Sequence, residues 1–483
     1  ILLFTGLQRI GSHDTTALRY YESLSIHFKK AAKEEQNQEH QQLKMLSPDT
    51  QPFAVRDYYP QKVKVPSWIE DYVDFHNNAV IVDKNTNRAR LKEGTKFLVY
   101  KCQGLCGGLG DRTNGMVTLF YAALLSRRVL IIDHPTPFPL VNVLLPHRIR
   151  WDVDNYPNPD KQYSIIDRFG RPIDFLKEPC QTDADALGIL IRVNQWYMKY
   201  LWPGECMQTM LRTASSSSSR ANTTTVEKAT EATSSSAPPQ VNFDKDRQHT
   251  YRWAFWTMFQ FHKDVLEEAD RLRNEAGLTQ ESTTTTHNDA ARANATTNMA
   301  NSNYVRFRPY ISIHGRHDRH RGDGKERMFL DCAHKFQTKI QNRQKEINTN
   351  VAPPRDIVVI SDRSSFKELL HSWDNATVKV SKTDEYHTDR ARTNNNEKGN
   401  LDVFAELAIL MDSECLVRSR SGYSELPQMV TISNEVTLEP CGVQFNECRD
   451  EDVDSAINSL FWSDKVGILH GNSTWNSRVT MYD

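Results

Sequence analysis

Phe97-Leu-Val-Tyr-Lys-Cys-Gln-Gly-Leu-Cys-Gly-Gly-Leu-Gly-Asp-Arg112 is the stretch of sequence that decides the fold. Its apolar start predicts a buried strand, and its glycines predict a tight turn. An amphipathic helix is predicted over 113–126, and a second apolar strand, 129–132, ends at Asp133. Strand, Gly-rich turn, helix and strand together form a βαβ unit.

The Gly-rich turn of this unit is a candidate ligand site. Gly107, Gly108 and Gly110 precede a helix N-terminus, whose N–H groups can bind an anion or the polar groups of a sugar. The spacing is not G-x-G-x-x-G and no Walker lysine follows, so neither NAD nor ATP binding is indicated. On the glycines alone, a turn that merely links strand and helix is an equally simple interpretation.

Composition excludes some classes of partner. The 483 residues carry 60 Lys and Arg against 61 Asp and Glu, so no basic excess favours a nucleic acid, and we expect no nucleic-acid partner. The apolar fraction of 38% is low because two Ser/Thr/Asn-rich stretches, 213–240 and 279–303, are predicted to be disordered. The remainder is large enough to bury a sizeable core.

Cysteines and glycosylation sequons favour the secretory pathway. Eight cysteines are present, and N-x-[S/T] sequons occur at Asn222, Asn294, Asn375 and Asn472. Cys102 and Cys106 have no matching His or Cys pair nearby, so no metal site is predicted. No apolar run reaches the ~18 residues of a membrane span, so membrane attachment is expected only through an anchor missing before Ile1. A fragment boundary explains Ile1 equally well.

The order of patterns predicts two α/β domains behind a stem. Residues 1–66 are a stem or N-terminal helical region, 67–303 a first domain containing the two disordered insertions, and 304–483 a second domain. Helices are predicted around 183–212 and over 251–278, the latter with its aromatic residues facing the core. From residue 304 strands alternate with helices, the doubly wound pattern in which ligands bind at the carboxyl ends of the strands.

Two polar clusters follow strands of the second domain. His314-Gly315-Arg316 opens a basic run that extends to Arg321, and a guanidinium at the end of a strand can hold a phosphate. A solvated charged loop is the alternative. Asp362 follows the strand 357–360 and can bind a base or a ribose hydroxyl. It can instead cap the helix that begins near Ser364, a role open to Ser364 and Ser365 as well.

A third cluster lies at a strand-to-helix turn and reads Ser419-Arg-Ser421-Gly422-Tyr-Ser424. Its hydroxyls and glycine can cradle a phosphate with backbone N–H groups. A hydrolase triad is a poor fit because position 419 is not the first glycine of G-x-S-x-G. An anion-binding half that faces a Gly-rich half would enclose a nucleotide or sugar phosphate between two domains.

In combination and order, these motifs resemble the GT-B fucosyltransferase superfamily, which groups α1,2-, α1,6- and protein O-fucosyltransferases. Cys106-Gly-Gly-Leu-Gly-Asp-Arg112, with its helix and the strand 128–133, is similar to the opening block of the first domain in that family. Helix 251–278, Ile311-Ser-Ile-His-Gly-Arg316 and Arg418-Ser-Arg-Ser-Gly-Tyr-Ser424 resemble later family segments. The resemblance covers roughly residues 95–430 and implies two Rossmann-like domains that face each other across a cleft.

The resemblance also implies a reaction: inverting, metal-independent transfer of fucose from GDP-fucose to a glycan or glycoprotein, with no cofactor beyond the donor. By carry-over, Arg316 neutralises the β-phosphate of the leaving GDP, His314 orients it, and Asp362 binds the guanosine end. The other donor-binding residues are Ser419, Ser421 and Gly422, with Gly107, Gly108 and Gly110 lining the cleft. A transferase for another nucleotide sugar and a non-catalytic glycan- or nucleotide-binding relative are the alternative functions.

The sequence departs from the family pattern after the basic motif. Gly315 replaces an apolar residue, and Gly322-Asp323 arrives several residues late, which makes Arg319 or Arg321 an alternative phosphate ligand. The general base is Glu326 or, as a rival, Asp111. The expected location is the lumen of the Golgi or endoplasmic reticulum, with a type II membrane anchor in the full-length protein.

Overall fold

The computed structural model describes residues 63, 65–101, 107–135, 138–165, 173–194, 196–201, 203–210, 243–278, 309–316, 325–347, 354–381, 383, 397–431 and 441–462. All of them belong to one compact unit, Ala54–Asp483. The predicted insertions 213–240 and 279–303, and nearly all of the predicted stem, lie outside the described residues.

The described residues alternate strands with helices. The strands are β1 (Val80–Val82), β2 (Ala89–Leu91), β3 (Phe97–Lys101), β4 (Val129–Asp133), β5 (Leu144–Pro146), β6 (Lys161–Ile165), β7 (Gly188–Val193), β8 (Phe259–Phe261), β9 (Tyr310–Gly315), β10 (Asp356–Ser361), β11 (Val378–Val380), β12 (Cys415–Arg418) and β13 (Cys441–Gln444). The α-helices are α1 (Ser67–Ala79), α2 (Leu109–Leu125), α3 (Asp174–Lys177), α4 (Met198–Leu201), α5 (Phe243–Met258), α6 (Lys263–Glu275), α7 (Glu326–Ile347), α8 (Ser364–Trp373), α9 (Glu397–Met411), α10 (Gly422–Val430) and α11 (Asp450–Trp462).

A four-stranded parallel sheet, in the order β4–β3–β7–β6, forms the first half. Strand β3 is buried on both faces: Leu98 and Tyr100 join the core that contains α2, whereas Phe97 and Val99 pack on the opposite side. The chain passes from β3 to β4 on one side and later returns to β7 on the other. The topological switch point, where α/β sheets bind ligands, therefore lies between β3 and β7, next to the Gly-rich turn.

A five-stranded parallel sheet, in the order β11–β10–β9–β12–β13, forms the second half. The chain starts at the central strand β9, proceeds outward to β10 and β11, and returns to β12 on the other side. The switch point of this sheet lies between β9 and β12, the strands that end in the His314 and Ser419 motifs. The two parallel sheets with their helices confirm the predicted α/β class.

Two helix predictions were wrong in detail. Gly188–Val193 is a strand rather than part of a helix, because a short apolar run buried in a parallel sheet has no periodicity that separates it from a buried helix. The predicted helix 251–278 is two helices, α5 and α6, separated by β8, which pairs with β5 in antiparallel register. That pairing joins residues more than a hundred positions apart and is invisible to local pattern.

The aromatic residues of α5 face the core, as predicted. Phe255 and Trp256 are buried, and the Trp256 indole donates to the carbonyl of Val430 at the end of α10, at 2.8 Å. Gln248 donates to the carbonyl of Gln428 at 2.6 Å. Helix α5 therefore supports α10, the helix that carries the Ser-rich motif. None of the helices within the described ranges has the length and apolar character needed to cross a bilayer.

Three disulfides join cysteines of the described residues: Cys180–Cys206, Cys332–Cys448 and Cys415–Cys441. Cys415–Cys441 connects the paired residues at the starts of β12 and β13, with a Cα–Cα distance of 4.5 Å. Disulfides persist in oxidising compartments, and these three pair six of the eight cysteines. Cys102 and Cys106 lie outside the described residues.

A cluster of acids lies where α6 packs against α9. The carboxyl of Asp402 hydrogen-bonds with that of Glu268, which also accepts from Arg271 at 2.8 Å. Two carboxyl groups in hydrogen-bond contact must share a proton. Burial, with Glu268 as the next cause, raises the pKa of Asp402 to about 7. Lys398 and Glu406 are the other charged neighbours.

This acid pair predicts a pH-dependent stability. Because the folded-state pKa of Asp402 lies above its unfolded value of about 4, the folded protein holds an extra proton between pH 4 and 7. The free energy of unfolding therefore falls as pH rises through that window and levels off above it. Burial and Asp412 likewise raise the pKa of Asp270 to about 7, so Asp402→Asn removes only part of the slope.

Urea unfolding at pH 5, 6, 7 and 8 measures this slope, and Asp402→Asn is expected to gain about 1–2 kcal/mol over wild type on going from pH 5 to 8. Asp71→Asn, at an exposed position of α1, is the matched control. A slope in Asp402→Asn equal to that of wild type would show that Asp402 does not hold the proton.

Candidate functional site

The switch point of the second sheet brings the His314 and Ser419 motifs together. His314 pairs with Ile360 of β10 on one side and with Arg418 of β12 on the other. The N–H of Ser419 donates to the His314 carbonyl at 2.9 Å and extends that pairing by one residue. The two motifs, which lie about a hundred residues apart in sequence, thus end side by side.

A buried hydroxyl cluster forms at this edge. Ser424 Oγ lies 2.9 Å from His314 Nδ1, 3.1 Å from Ser419 Oγ and 2.5 Å from Ser421 Oγ. Ser421 is the N-cap of α10, and its Oγ accepts from the Ser424 N–H at 3.1 Å. We call His314, Ser419, Ser421 and Ser424 the Ser424 cluster. All four are less than a tenth exposed.

The imidazole of His314 is neutral in this setting. Burial and, secondarily, the charge of Arg316 lower the pKa of His314 to about 3. Its ring lies 5.0 Å from that of Tyr423, centroid to centroid. His314 therefore acts as a hydrogen-bonding group rather than as a cation at physiological pH.

Arg316 is half-buried beside this cluster. Its N–H donates to Ser419 Oγ at 3.1 Å, and its charge reaches His314, as the pKa of that residue shows. The departure at Gly315 has a packing reason, because a Cβ there would overlap the ring of Phe366.

Internal hydrogen bonds shape the Gly-rich turn that precedes α2. Gly107 has φ +74°, a conformation that disfavours side chains, and its carbonyl accepts from Arg112 Nε at 2.9 Å. Arg112 also donates to His134 Nε2 at 2.9 Å, just beyond β4. The N–H of Gly108 donates to Asp111 Oδ2 at 3.2 Å. Arg112 and Asp111, in the first turn of α2, thus both bind the start of the Gly-rich turn.

The Gly-rich turn and the Ser-rich turn meet backbone to backbone. A Cβ on Gly110 would overlap the carbonyl of Gly422 and lie 2.6 Å from the Tyr423 nitrogen. A Cβ on Gly422 would lie 3.6 Å from Asp111 Oδ1. The N-termini of α2 and α10, one from each half of the chain, therefore converge where both sheets have their switch points. Positive partial charge from two helices accumulates there.

Asp362 lies at the neighbouring strand end and is half-buried. Helix α8 begins at Ser364, as predicted, with Arg363 at the N-cap position, and the Arg363 side chain makes no capping hydrogen bond. Beyond Asp362 lies a buried polar group that the sequence did not reveal. Glu406 accepts from Ser381 at 3.1 Å and from Thr383, and burial raises its pKa, with Asp362 as a minor contributor.

The remaining predicted site residues are Glu326 and Arg321, with Arg319 as the alternative to Arg321. Glu326 is the first residue of α7 and is half-buried. Arg321 and its alternative Arg319 lie outside the described residues. Ser424, the centre of the hydroxyl cluster, belongs to the predicted motif but was given no binding role of its own, although it lies three residues after the N-cap residue Ser421.

Comparison with known proteins adds the following. A variant of Arabidopsis thaliana FUT1 in complex with GDP has a TM-score of 0.40 and 13% identity, covering 78% of this chain and 76% of that one. Bradyrhizobium NodZ α-1,6-fucosyltransferase soaked with GDP-fucose has a TM-score of 0.36 and 11% identity, covering 70% of this chain and 93% of that one. POFUT1 in complex with GDP-fucose has a TM-score of 0.35 and 10% identity, covering 73% of this chain and 98% of that one.

These similar structures are fucosyltransferases. No protein-family model matches the sequence, and no curated protein matches it. Because the TM-scores are below 0.5, the roles of residues in this chain rest on its own motifs and geometry.

Within the described residues, one group of side chains has metal-ligating spacing: Glu178, Cys180 and Cys206. The two cysteines form a disulfide, so neither offers a thiolate. Glu178 accepts from the N–H of Glu205 at 3.0 Å. The group therefore links the end of α3 to the segment after α4 through a disulfide and a hydrogen bond.

Proposed function

We propose that this chain is an inverting glycosyltransferase that transfers fucose from GDP-fucose to a hydroxyl of a glycan or glycoprotein. The backbone contact between Gly110 and Gly422 carries the proposal. It joins the Gly-rich turn after β3 to the Ser-rich turn after β12. The order of these two motifs and their residue sequences resemble those of fucosyltransferases. Two turns that only linked a strand to a helix would not require contact with each other at the carboxyl ends of the two sheets.

The charge arrangement supports a diphosphate at this point. The N-terminus of α10, capped by Ser421, offers backbone N–H groups, and neutral His314 offers a ring N–H. Arg316 adds a permanent positive charge. As the sugar–phosphate bond breaks, negative charge accumulates on GDP, so a preorganised guanidinium stabilises the transition state more than the ground state. The proposed reaction uses no metal and no cofactor beyond the donor.

An inverting reaction requires a base on the acceptor side of the sugar. Of the two candidates, Asp111 is favoured over Glu326 because it is exposed at the junction of the two turns, beside Gly422. One of its oxygens accepts from Gly108. That bond orients the carboxylate.

The guanosine end of the donor is assigned to Asp362. The preceding strand β10 lies beside β9, so Asp362 is one strand removed from the Ser424 cluster along the sheet edge. That spacing suits a nucleotide whose diphosphate lies at the switch point. Ser361 supports the turn, because its hydroxyl donates to the Gly315 carbonyl at 2.6 Å and accepts from the Arg363 N–H.

The domain division and the compartment belong to the same proposal. We place the donor domain at 304–483 and the acceptor-side domain at 67–303, with α5 and α6 packed against α10 and α9 of the donor domain. The three disulfides and four sequons support the lumen of the Golgi or endoplasmic reticulum, reached with an N-terminal anchor.

Calorimetric titration with GDP, UDP and ADP tests the donor assignment. We expect GDP to bind in the micromolar range and at least tenfold more tightly than UDP or ADP. Tighter binding of UDP would support a transferase for another nucleotide sugar. GDP binding without transfer from GDP-fucose to any glycan or glycoprotein would support a non-catalytic relative. No heat with any of the three nucleotides would overturn the proposal.

A further inference from the structure

Ser424 is the one member of the Ser424 cluster that touches all the others. It is fully buried, so it cannot itself contact a ligand. We propose that Ser424 is a positioning residue that holds the His314 ring in the tautomer whose Nε2 carries the proton, aimed at the departing diphosphate. This inference rests on the proposed function, which supplies the diphosphate.

The donors and acceptors of the three serine hydroxyls determine the tautomer of His314. Ser419 Oγ accepts from the Arg316 N–H, and Ser421 Oγ accepts from the Ser424 N–H. Within the described residues, the only other partner of each hydroxyl is Ser424 Oγ. Ser419 and Ser421 are buried, so each must donate its own proton to Ser424, or that proton has no acceptor.

Ser424 then has both lone pairs occupied. A hydroxyl accepts two hydrogen bonds and donates one, so the remaining proton of Ser424 goes to His314 Nδ1, 2.9 Å away. In the opposite tautomer, Nδ1 would donate to Ser424, and one of the two flanking serines would keep a buried proton without an acceptor. Nδ1 is therefore the acceptor, and the neutral ring carries its proton on Nε2.

The consequence is a fixed donor at the switch point. Within the described residues, Nε2 makes no hydrogen bond, so its N–H is available to a ligand oxygen. Because His314 stays neutral down to about pH 3, the tautomer persists over any assay range. Without the Ser424 hydroxyl, Nδ1 loses its donor, and the ring exchanges between tautomers of which only one donates from Nε2.

A double-mutant cycle tests this role. Ser424→Ala is expected to lower kcat for transfer about tenfold with little change in the KM for donor, and to have no further effect in a His314→Ala background. Ser126→Ala removes a comparable hydroxyl, bonded to the Ala122 carbonyl at 2.7 Å at the end of α2, and is expected to keep wild-type kcat. If the Ser424→Ala effect multiplies with that of His314→Ala, Ser424 acts through folding and the inference is wrong.

Nitrogen-15 spectra of histidine-labelled protein give a readout that needs no activity. The signals lost in His314→Ala are expected to be those of an Nε2–H tautomer in wild type, and to shift toward a mixture in Ser424→Ala. An Nδ1–H signal for His314 in wild type would overturn the inference by itself. Absence of GDP binding in wild type would overturn the proposed function, whatever the tautomer.

Discussion

Arg316→Ala is expected to lower kcat for fucose transfer by about 10²- to 10³-fold, the effect of removing one preorganised group that stabilises transition-state charge. The half-buried Arg316 stands beside the Ser424 cluster, and its N–H and its charge both act on that cluster. Negative charge grows on the diphosphate only as the sugar leaves, so the loss falls mainly on kcat. The affinity for GDP-fucose is expected to fall much less.

Initial rates with GDP-fucose measure the loss, and Arg88→Ala is the control. Arg88 is a surface arginine of the β1–β2 hairpin, with 74% of its side chain exposed and a long ion pair of 3.9 Å to Asp154. It is expected to keep wild-type rates. Arg316→Lys retains the charge without the planar fork and is expected to recover only part of the activity. Full activity in Arg316→Ala would move the phosphate role to Arg319 or Arg321.

Gly110→Ala is expected to destabilise the protein by about 3 kcal/mol and to lower transfer at least tenfold. The added methyl would occupy the space of the Gly422 carbonyl and press on the Tyr423 nitrogen. Both obstacles are backbone, which cannot rotate away as a side chain can, so α2 and α10 must separate. Separation displaces Ser421 and Gly422 from the Gly-rich turn.

Gly108→Ala is the matched control for stability. Gly108 lies two residues earlier in the same turn, has φ −69°, and has open space where a Cβ would stand. Its substitution is expected to change the unfolding free energy by less than about 1 kcal/mol, because the loss of an N-cap glycine is small and the methyl meets no obstacle. Urea unfolding of both variants makes the comparison. Equal stability of Gly110→Ala and wild type would contradict the close contact between α2 and α10.

Local pattern predicted the first βαβ unit well. The strand Phe97–Lys101, its Gly-rich turn and helix α2 were recognisable because an apolar run, glycines and a helical periodicity follow one another directly. Strand β7 was mistaken for a helix because its apolar run, Ile189–Ile191, is buried on both faces and shows no alternation. Strand β8 was missed because it exists only by pairing with β5.

The sequence likewise predicted the motifs of the candidate site but not the contacts between them. The motifs around Gly107, His314 and Ser419 were recognisable because glycine, basic and hydroxyl residues follow strands. Their meeting depends on the strand order of each sheet, which no local pattern encodes. Ser424 was passed over as one more serine, and Glu406 as one polar position in an apolar helix. Only their burial and partners distinguish them.

The sequence by itself determined the α/β class, the strand-turn-helix units and the residue types offered at strand ends, because these follow from backbone propensity and from burial that local composition records. Only the tertiary structure decided that Gly110 touches Gly422, that Ser424 binds His314, and that an acid pair joins α6 to α9. Such contacts join residues more than a hundred positions apart, and their existence depends on how the helices pack on the two sheets. Packing is a property of the whole core, so it cannot be read from any one segment of the chain.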